Sequence, residues 1–217
     1  MTSEKIKIED NFLDRKKFNN LKEFMTSEAG QGPRPLHWYF KDRYYTPYTH
    51  YVNPLSNNKA MDKLDVEDEL DNFLFIHPFY EELQPKSPFM KELTPILELI
   101  QPLAIYRITA NLLTRLPTIV ENTPHTDIGP MSDEKLKQWT TSIFYINTNN
   151  GYTKFEDGTK VESVANRMLT FPTNMKHSGT ACTDQKYRII INFNYFDQSQ
   201  ELSELQSKGY TKIKLTP

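Results

Sequence analysis

The sequence predicts a mainly β protein of the double-stranded β-helix, or jelly-roll, class, with supporting N-terminal helices. Three observations predict it. From residue 103 to 197, short apolar runs follow one another between turn signals at Asn149-Asn150-Gly151 and Asp157-Gly158. No strand-helix-strand alternation interrupts them, which leaves an antiparallel double sheet. The length, 217 residues, suits a single domain with a genuine core. We divide it into helical and loop support (1–102), a jelly-roll core (103–197) and a C-terminal tail (198–217).

Ile6 to Leu13 alternates weakly and reads as a short strand. Asp14 is the N-cap of a helix whose apolar stripe is Phe18, Leu21, Phe24 and Met25. Gly30-Gln-Gly-Pro-Arg-Pro35 ends that helix as a loop. Leu36 to Val52 is dense in rings and contains His37 and His50; we read it as packing over the open side of the barrel in preference to a substrate cleft. Asn53 to Asp71 is polar and acidic, a solvated loop or a lid, with a short helix at Val66 to Leu70. Ser87-Pro88 caps a second helix with Phe89, Leu93, Ile96, Leu97 and Ile100 on one face. Pro95 breaks it, with Thr94 as a second cap. Strands follow at Ile105–Arg115, Trp139–Asn147, Arg167–Phe171 and Lys186–Phe196. Asp157-Gly158 marks a hairpin between Phe155 and Val161. The tail carries a short helical stretch and an edge strand, Tyr210–Leu215.

Composition excludes several classes. A formal charge of −2 provides no broad basic surface, so no nucleic-acid partner is expected. The single cysteine, Cys182, reads as a small buried thiol and forms no intramolecular disulfide, which fits a reducing cytoplasm. The first residues lack the apolar core of a signal peptide, and no run reaches membrane-spanning length. We therefore expect a cytoplasmic protein with no membrane partner. Oligomeric state is not readable.

The chemistry concentrates at His125-Thr126-Asp127 and at His177. On an extended strand, residues two apart share a face, so His125 and Asp127 reach one ion, and the fold must bring in His177. Two imidazoles and one carboxylate are the facial triad of non-haem Fe(II) sites, which leaves three positions open. A lone His-x-Asp is a weak signal, and a surface turn is its ordinary reading. Arg188 sharpens it. It sits in an apolar run, sharing a face with Ile190, Asn192 and Asn194, and a buried charge there needs a partner. That partner is an Asp or Glu across the sheet, or an anionic cosubstrate held by the guanidinium fork. Two rival readings stand beside an oxygenase: a non-catalytic metal-binding jelly-roll module, and a cupin-type metalloenzyme indifferent to keto acids. His37, His50 and His77 have no ligand-spaced partner and lie outside the site.

Those residues, with Phe144-Tyr-Ile-Asn147 and Gly151-Tyr-Thr-Lys-Phe155, come in the order and spacing of a known family over roughly residues 105 to 196. The chain resembles the 2-oxoglutarate- and Fe(II)-dependent dioxygenase superfamily near its prolyl-4-hydroxylase-like branch. It is particularly similar to the small stand-alone oxygenases of marine bacteria and their phages. The resemblance implies Fe(II) held by His125, Asp127 and His177, with 2-oxoglutarate and dioxygen as cosubstrates and ascorbate as an auxiliary reductant. It also implies that Arg188 grips the far carboxylate of 2-oxoglutarate, with Tyr145 and Asn111 as further cosubstrate contacts. It implies hydroxylation of an unactivated C–H bond in a peptide or small molecule, a peptidyl proline by analogy. Asp127 stands where halogenating relatives have a small residue, which points to hydroxylation. One departure is Tyr152, where the family's usual glycine pair would place a second glycine after Gly151.

Overall fold

The structure, a computed structural model, describes residues 6–27, 35–41, 73–129 and 131–197. Two antiparallel sheets face each other. In chain order the strands are β1 (Lys7–Glu9), β2 (Tyr39–Lys41), β3 (Leu74–Glu81), β4 (Gln84–Pro85), β5 (Ala104–Thr114), β6 (Trp139–Tyr145), β7 (Tyr152–Phe155), β8 (Lys160–Glu162), β9 (Arg167–Pro172), β10 (His177–Gly179) and β11 (Tyr187–Phe196). The larger sheet runs β1-β9-β6-β11-β5-β3-β2, with β4 paired to β3, and the smaller runs β10-β7-β8. The helices are α1 (Arg15–Thr26), α2 (Thr94–Ile100) and the short α3 (Asp133–Leu136).

Register decides which residues see the site. On β11, Arg188, Ile190, Asn192 and Asn194 pair with Leu113, Asn111, Thr109 and Arg107 of β5. From Ile190 onward they also pair with Tyr145, Ile143 and Thr141 of β6. Alternation then puts Ile189, Ile191, Phe193 and Tyr195 on the other face. These join Ile108, Ala110, Phe144 and Met168 in one core with Phe18, Leu21 and Met25 of α1 and Ile96 of α2. A second core fills the space between the sheets: Ile143, Tyr145, Phe155, Val161, Leu169, Phe171 and Ile190. Because β11 is buried on both faces, its sequence reads as a continuous apolar run broken only by Arg188, Asn192 and Asn194.

Several local expectations hold. The Asp14 carboxylate accepts from the Lys17 amide at 2.9 Å, as an N-cap should. The Asp157-Gly158 turn joins β7 to β8, with Gly158 at φ +89°, a conformation glycine adopts at no steric cost. Pro95 does break the second helix: a 3-10 turn, Met90–Leu93, precedes α2. The cap there is Leu93, not Thr94.

Other expectations need correction. The Ile6–Leu13 strand is only Lys7–Glu9. The strand from Trp139 stops at Tyr145 because Asn147 turns its amide on β11, accepting from Ile189 N at 3.0 Å and donating to Tyr187 O at 2.8 Å. The larger sheet also reaches well outside 103–197, through β1, β2 and β3. The Val66–Leu70 helix, His50, most of the Leu36–Val52 ring run, and the helix and strand of the tail lie outside the described residues. Within that ring run, Leu36 is buried, Trp38 packs against the helix-side core, and Tyr39 and Phe40 are exposed. Among the described residues no helix is long and apolar enough to cross a membrane.

Candidate metal centre

The segment from Leu116 to Gly129 carries the first two candidate ligands, and it is laid along β10 by isolated contacts. Leu116 N donates to Cys182 O, Glu121 forms a bridge with Thr180, and Asn122 Nδ2 donates to Gly179 O at 2.8 Å. His125 and His177 then exchange both backbone hydrogen bonds, at 2.9 and 3.0 Å. Directly opposed antiparallel residues turn their side chains to one side, so the two imidazoles meet with ring centroids 5.2 Å apart. The expected extended strand through His125 and Asp127 does not form. His125 makes a single bridge and Asp127 sits in a bend. The carboxylate reaches the imidazoles all the same.

One ligand atom from each of His125, Asp127 and His177 lies within 4.8 Å of the others. His125 Nε2 is 3.9 Å from Asp127 Oδ1, and His177 Nε2 is 3.7 Å from Asp127 Oδ2. These separations are too long for hydrogen bonds. They are within the span that one cation bridges, since its bonds to N and O are each about 2.0–2.2 Å. The other ring nitrogens face carbonyls: His125 Nδ1 with Thr123 O at 3.1 Å and His177 Nδ1 with Met175 O at 3.2 Å. A carbonyl accepts only from N–H, so that contact places the proton on Nδ1 and leaves the Nε2 lone pair for a metal. Burial, then the neighbouring His177, lowers the pKa of His125. Burial alone would raise the Asp127 carboxyl, but His177, Arg107 and His125 outweigh it and hold it well below the usual carboxylate range. The donor set is two imidazole nitrogens and one anionic oxygen. Among the described residues no fourth His, Cys, Asp or Glu joins the group. A structural zinc site would close with a fourth ligand; this set leaves positions open and fits Fe(II).

On β11, on the same face as Asn194, stands Arg188, fully buried. Its Nε donates to Ser163 Oγ at 2.7 Å and its Nη2 to Thr153 Oγ1 at 3.3 Å. Tyr145 OH donates to the same Thr153 hydroxyl at 2.8 Å, and the guanidinium carbon lies 5.6 Å from the Tyr145 ring centroid. Burial raises the Tyr145 pKa, keeping its hydroxyl neutral. Arg188 Nη1 is buried with no hydrogen-bond partner. Among the described residues no Asp or Glu pairs with Arg188, so the ion pair across the sheet, one of the two partners foreseen, is absent. Gly151 makes room for the arginine. A Cβ there would stand 2.8 Å from Arg188 Cδ and 2.7 Å from Ala181 O. Asn111 occupies the site-side face of β5 opposite Ile190 and is half-buried.

Sequence reasoning left four neighbours unassigned: Thr153, Ser163, Arg107 and Asn194. The last was marked only as sharing the Arg188 face. Asn194 Nδ2 donates to Asp127 Oδ2 at 3.1 Å, and Arg107 Nη2 donates to Asp127 O at 3.0 Å. His77 stays outside the site as expected, bonded to His37 O and Ser87 Oγ. Cys182 is a buried thiol.

No protein-family model matches the sequence, and no curated protein does. Solved structures do. The chain is similar to a prolyl hydroxylase from Trichoplax adhaerens, solved in complex with a hypoxia inducible factor oxygen degradation domain peptide fragment. That match has a TM-score of 0.54 and 13% identity over 93% of this chain and 87% of that one. It is also similar to the non-haem α-ketoglutarate-dependent epimerase SnoN from nogalamycin biosynthesis, with a TM-score of 0.52 and 12% identity over 88% and 77%. At such identity the likeness is one of architecture. The chain has the jelly-roll fold on which that prolyl hydroxylase and that epimerase are built.

Proposed function

We propose that this chain is a 2-oxoglutarate- and Fe(II)-dependent dioxygenase that hydroxylates an unactivated C–H bond of a prolyl or other amino-acid substrate. The observation that carries the proposal is Arg188. A fully buried guanidinium with an orphaned Nη1 and no carboxylate partner among the described residues is costly unless an anion completes it. It stands on the face of β11 that also carries Asn194, which is bonded to Asp127 of the three-ligand group. A dicarboxylate with a chelating keto acid at one end satisfies both.

When bound, the Fe(II)–2-oxoglutarate pair supplies the oxidising chemistry, with dioxygen consumed and succinate and carbon dioxide released. The chain supplies position and dryness. His125 and His177 present their Nε2 atoms, and Asp127 presents a carboxylate that stays ionised. Arg188 holds the far carboxylate through Nη1, beside the neutral Tyr145 hydroxyl. Ile143, Leu169, Phe171 and Ile190 line the space between the sheets and keep water out. The two other sequence-based readings fare worse. A structural module has no use for an unpaired buried arginine, and a cupin-type hydrolase needs no anion grip beside its metal. The Trichoplax prolyl hydroxylase was solved with a peptide, and this supports an amino-acid or peptidyl substrate here.

The test is succinate formation from 2-oxoglutarate with Fe(II) and ascorbate, across free amino acids and proline-containing peptides. Turnover stimulated by one substrate, and abolished in Asp127→Ala, is the expected result. Full substrate-coupled turnover in Asp127→Ala would overturn the assignment.

A further inference from the structure

Asp127 lies in a bend, outside any β ladder, so no sheet hydrogen bonding orients it. What holds it is a set of side chains outside the triad: Asn194, Arg107 and, hydrogen-bonded to its carboxylate, Asn192. Asn194 is fully buried. Its Nδ2 donates to Asp127 Oδ2 and to Thr141 Oγ1, both at 3.1 Å, and its Oδ1 accepts from Arg107 Nη2 at 3.3 Å. The amide orientation is fixed by this network. Flipped, it would set a carbonyl oxygen against the carboxylate and an NH2 against the guanidinium. The same Arg107 Nη2 donates to the Asp127 backbone carbonyl at 3.0 Å and stands 3.9 Å from Oδ1. The bend is thus gripped at its main chain by Arg107 and at one carboxylate oxygen by Asn194, and the two clamps are hydrogen-bonded to each other.

A free carboxylate can swing, or chelate through both oxygens. The Asn194 amide on Oδ2 stops the carboxylate from swinging and favours the other oxygen, Oδ1, as the metal's ligand. We propose that Asn194 and Arg107 are positioning residues that hold Asp127 as a one-oxygen ligand. That leaves three coordination positions free, two for a chelating keto acid and one for dioxygen, where a second carboxylate oxygen would take the third. The inference rests on reading His125, Asp127 and His177 as a metal centre. It concerns which residues orient the ligand, not which residues bind.

Anaerobic titration of the metal-free protein with Co(II), redox-stable in place of Fe(II), separates the two. Affinity and the visible d–d spectrum are read for the wild type, Asn194→Leu, Arg107→Met and His177→Ala. The wild type should take one Co(II), and His177→Ala should lose it. Asn194→Leu, of similar volume, should bind about 10- to 100-fold more weakly and with an altered spectrum. Arg107→Met should shift the same way by a smaller factor. If Asn194→Leu does not fold, Arg107→Met decides, since Arg107 is partly exposed at the surface. Wild-type affinity and spectrum in the folded variants would overturn the positioning role and leave the metal centre standing. A wild type that takes no Co(II) would overturn the metal centre itself.

Discussion

Arg188 is the most improbable residue in the interior, and its surroundings explain why it is tolerated. Ser163 and Thr153 satisfy two of its nitrogens, Gly151 leaves space for its stem, and Nη1 has no partner. Removing a buried charge with no ionic partner leaves no opposite charge stranded. Arg188→Met should therefore keep or raise the unfolding free energy of the cosubstrate-free protein while weakening 2-oxoglutarate binding at least about 100-fold, the scale for losing one side of a buried charge pair. Chemical denaturation and equilibrium binding on one preparation check this; a large stability loss with binding intact would show that the arginine serves only the fold. At this scale the sequence was partly legible. His125, Asp127 and His177 stand out because their donor types are few and their chemistry is shared, and the structure gathers their ligand atoms within 4.8 Å. Asn194 and Arg107 do not, because an isolated Asn or Arg acquires meaning only when register places it beside Asp127. Thr153 and Ser163 are illegible for the same reason.

Elements with a strong local signal were readable: the capped helix α1, the Asp-Gly hairpin and the long strands β5, β6, β9 and β11. Two kinds of element were not. β3 carries His77 and Pro78 in mid-strand, and a proline in a run argues against a central strand; the register shifts between Pro78 and Tyr80 to accommodate it. The β3–β4 turn places Glu82 and Leu83 at φ 53° and 60°, where hairpins ordinarily use Asn-Gly, so no turn signal marked it. The metal segment was expected to be a strand because period-two spacing implies one, yet a single bridge suffices. His77 shows what ties β3 to its neighbours: its Nδ1 meets His37 O at 2.7 Å and its Nε2 meets Ser87 Oγ at 2.8 Å. Burial lowers its pKa below 6.5. The unfolded chain therefore binds a proton that the folded chain resists, so stability is full above about pH 6.5 and falls as pH drops below it. Urea unfolding at pH 7.5 and 5.5 should show the loss, reduced in His77→Gln. The loss should not vanish there, because His125 shifts in the same direction. An identical pH dependence in wild type and variant would refute the assignment to His77.

Across the whole molecule, one buried sheet organises everything. Its outer face packs on α1 and α2, and its inner face, with the smaller sheet, encloses the site. The jelly-roll class was legible because the run of strands without crossover helices admits few alternatives. The boundary at residue 103 was less so: β1, β2 and β3 complete the larger sheet from the N-terminal part, and long-range pairing leaves no local trace in sequence. The larger sheet turns the face of Arg188 and Asn194 toward the three candidate ligands, and under the proposed function a single keto acid would span arginine and metal. The most direct measurement is the visible spectrum of metal-free protein mixed anaerobically with Fe(II) and 2-oxoglutarate. A weak metal-to-ligand charge-transfer band that is lost in His177→Ala is the expected result. Demonstrated iron binding with no such band would contradict the proposed function.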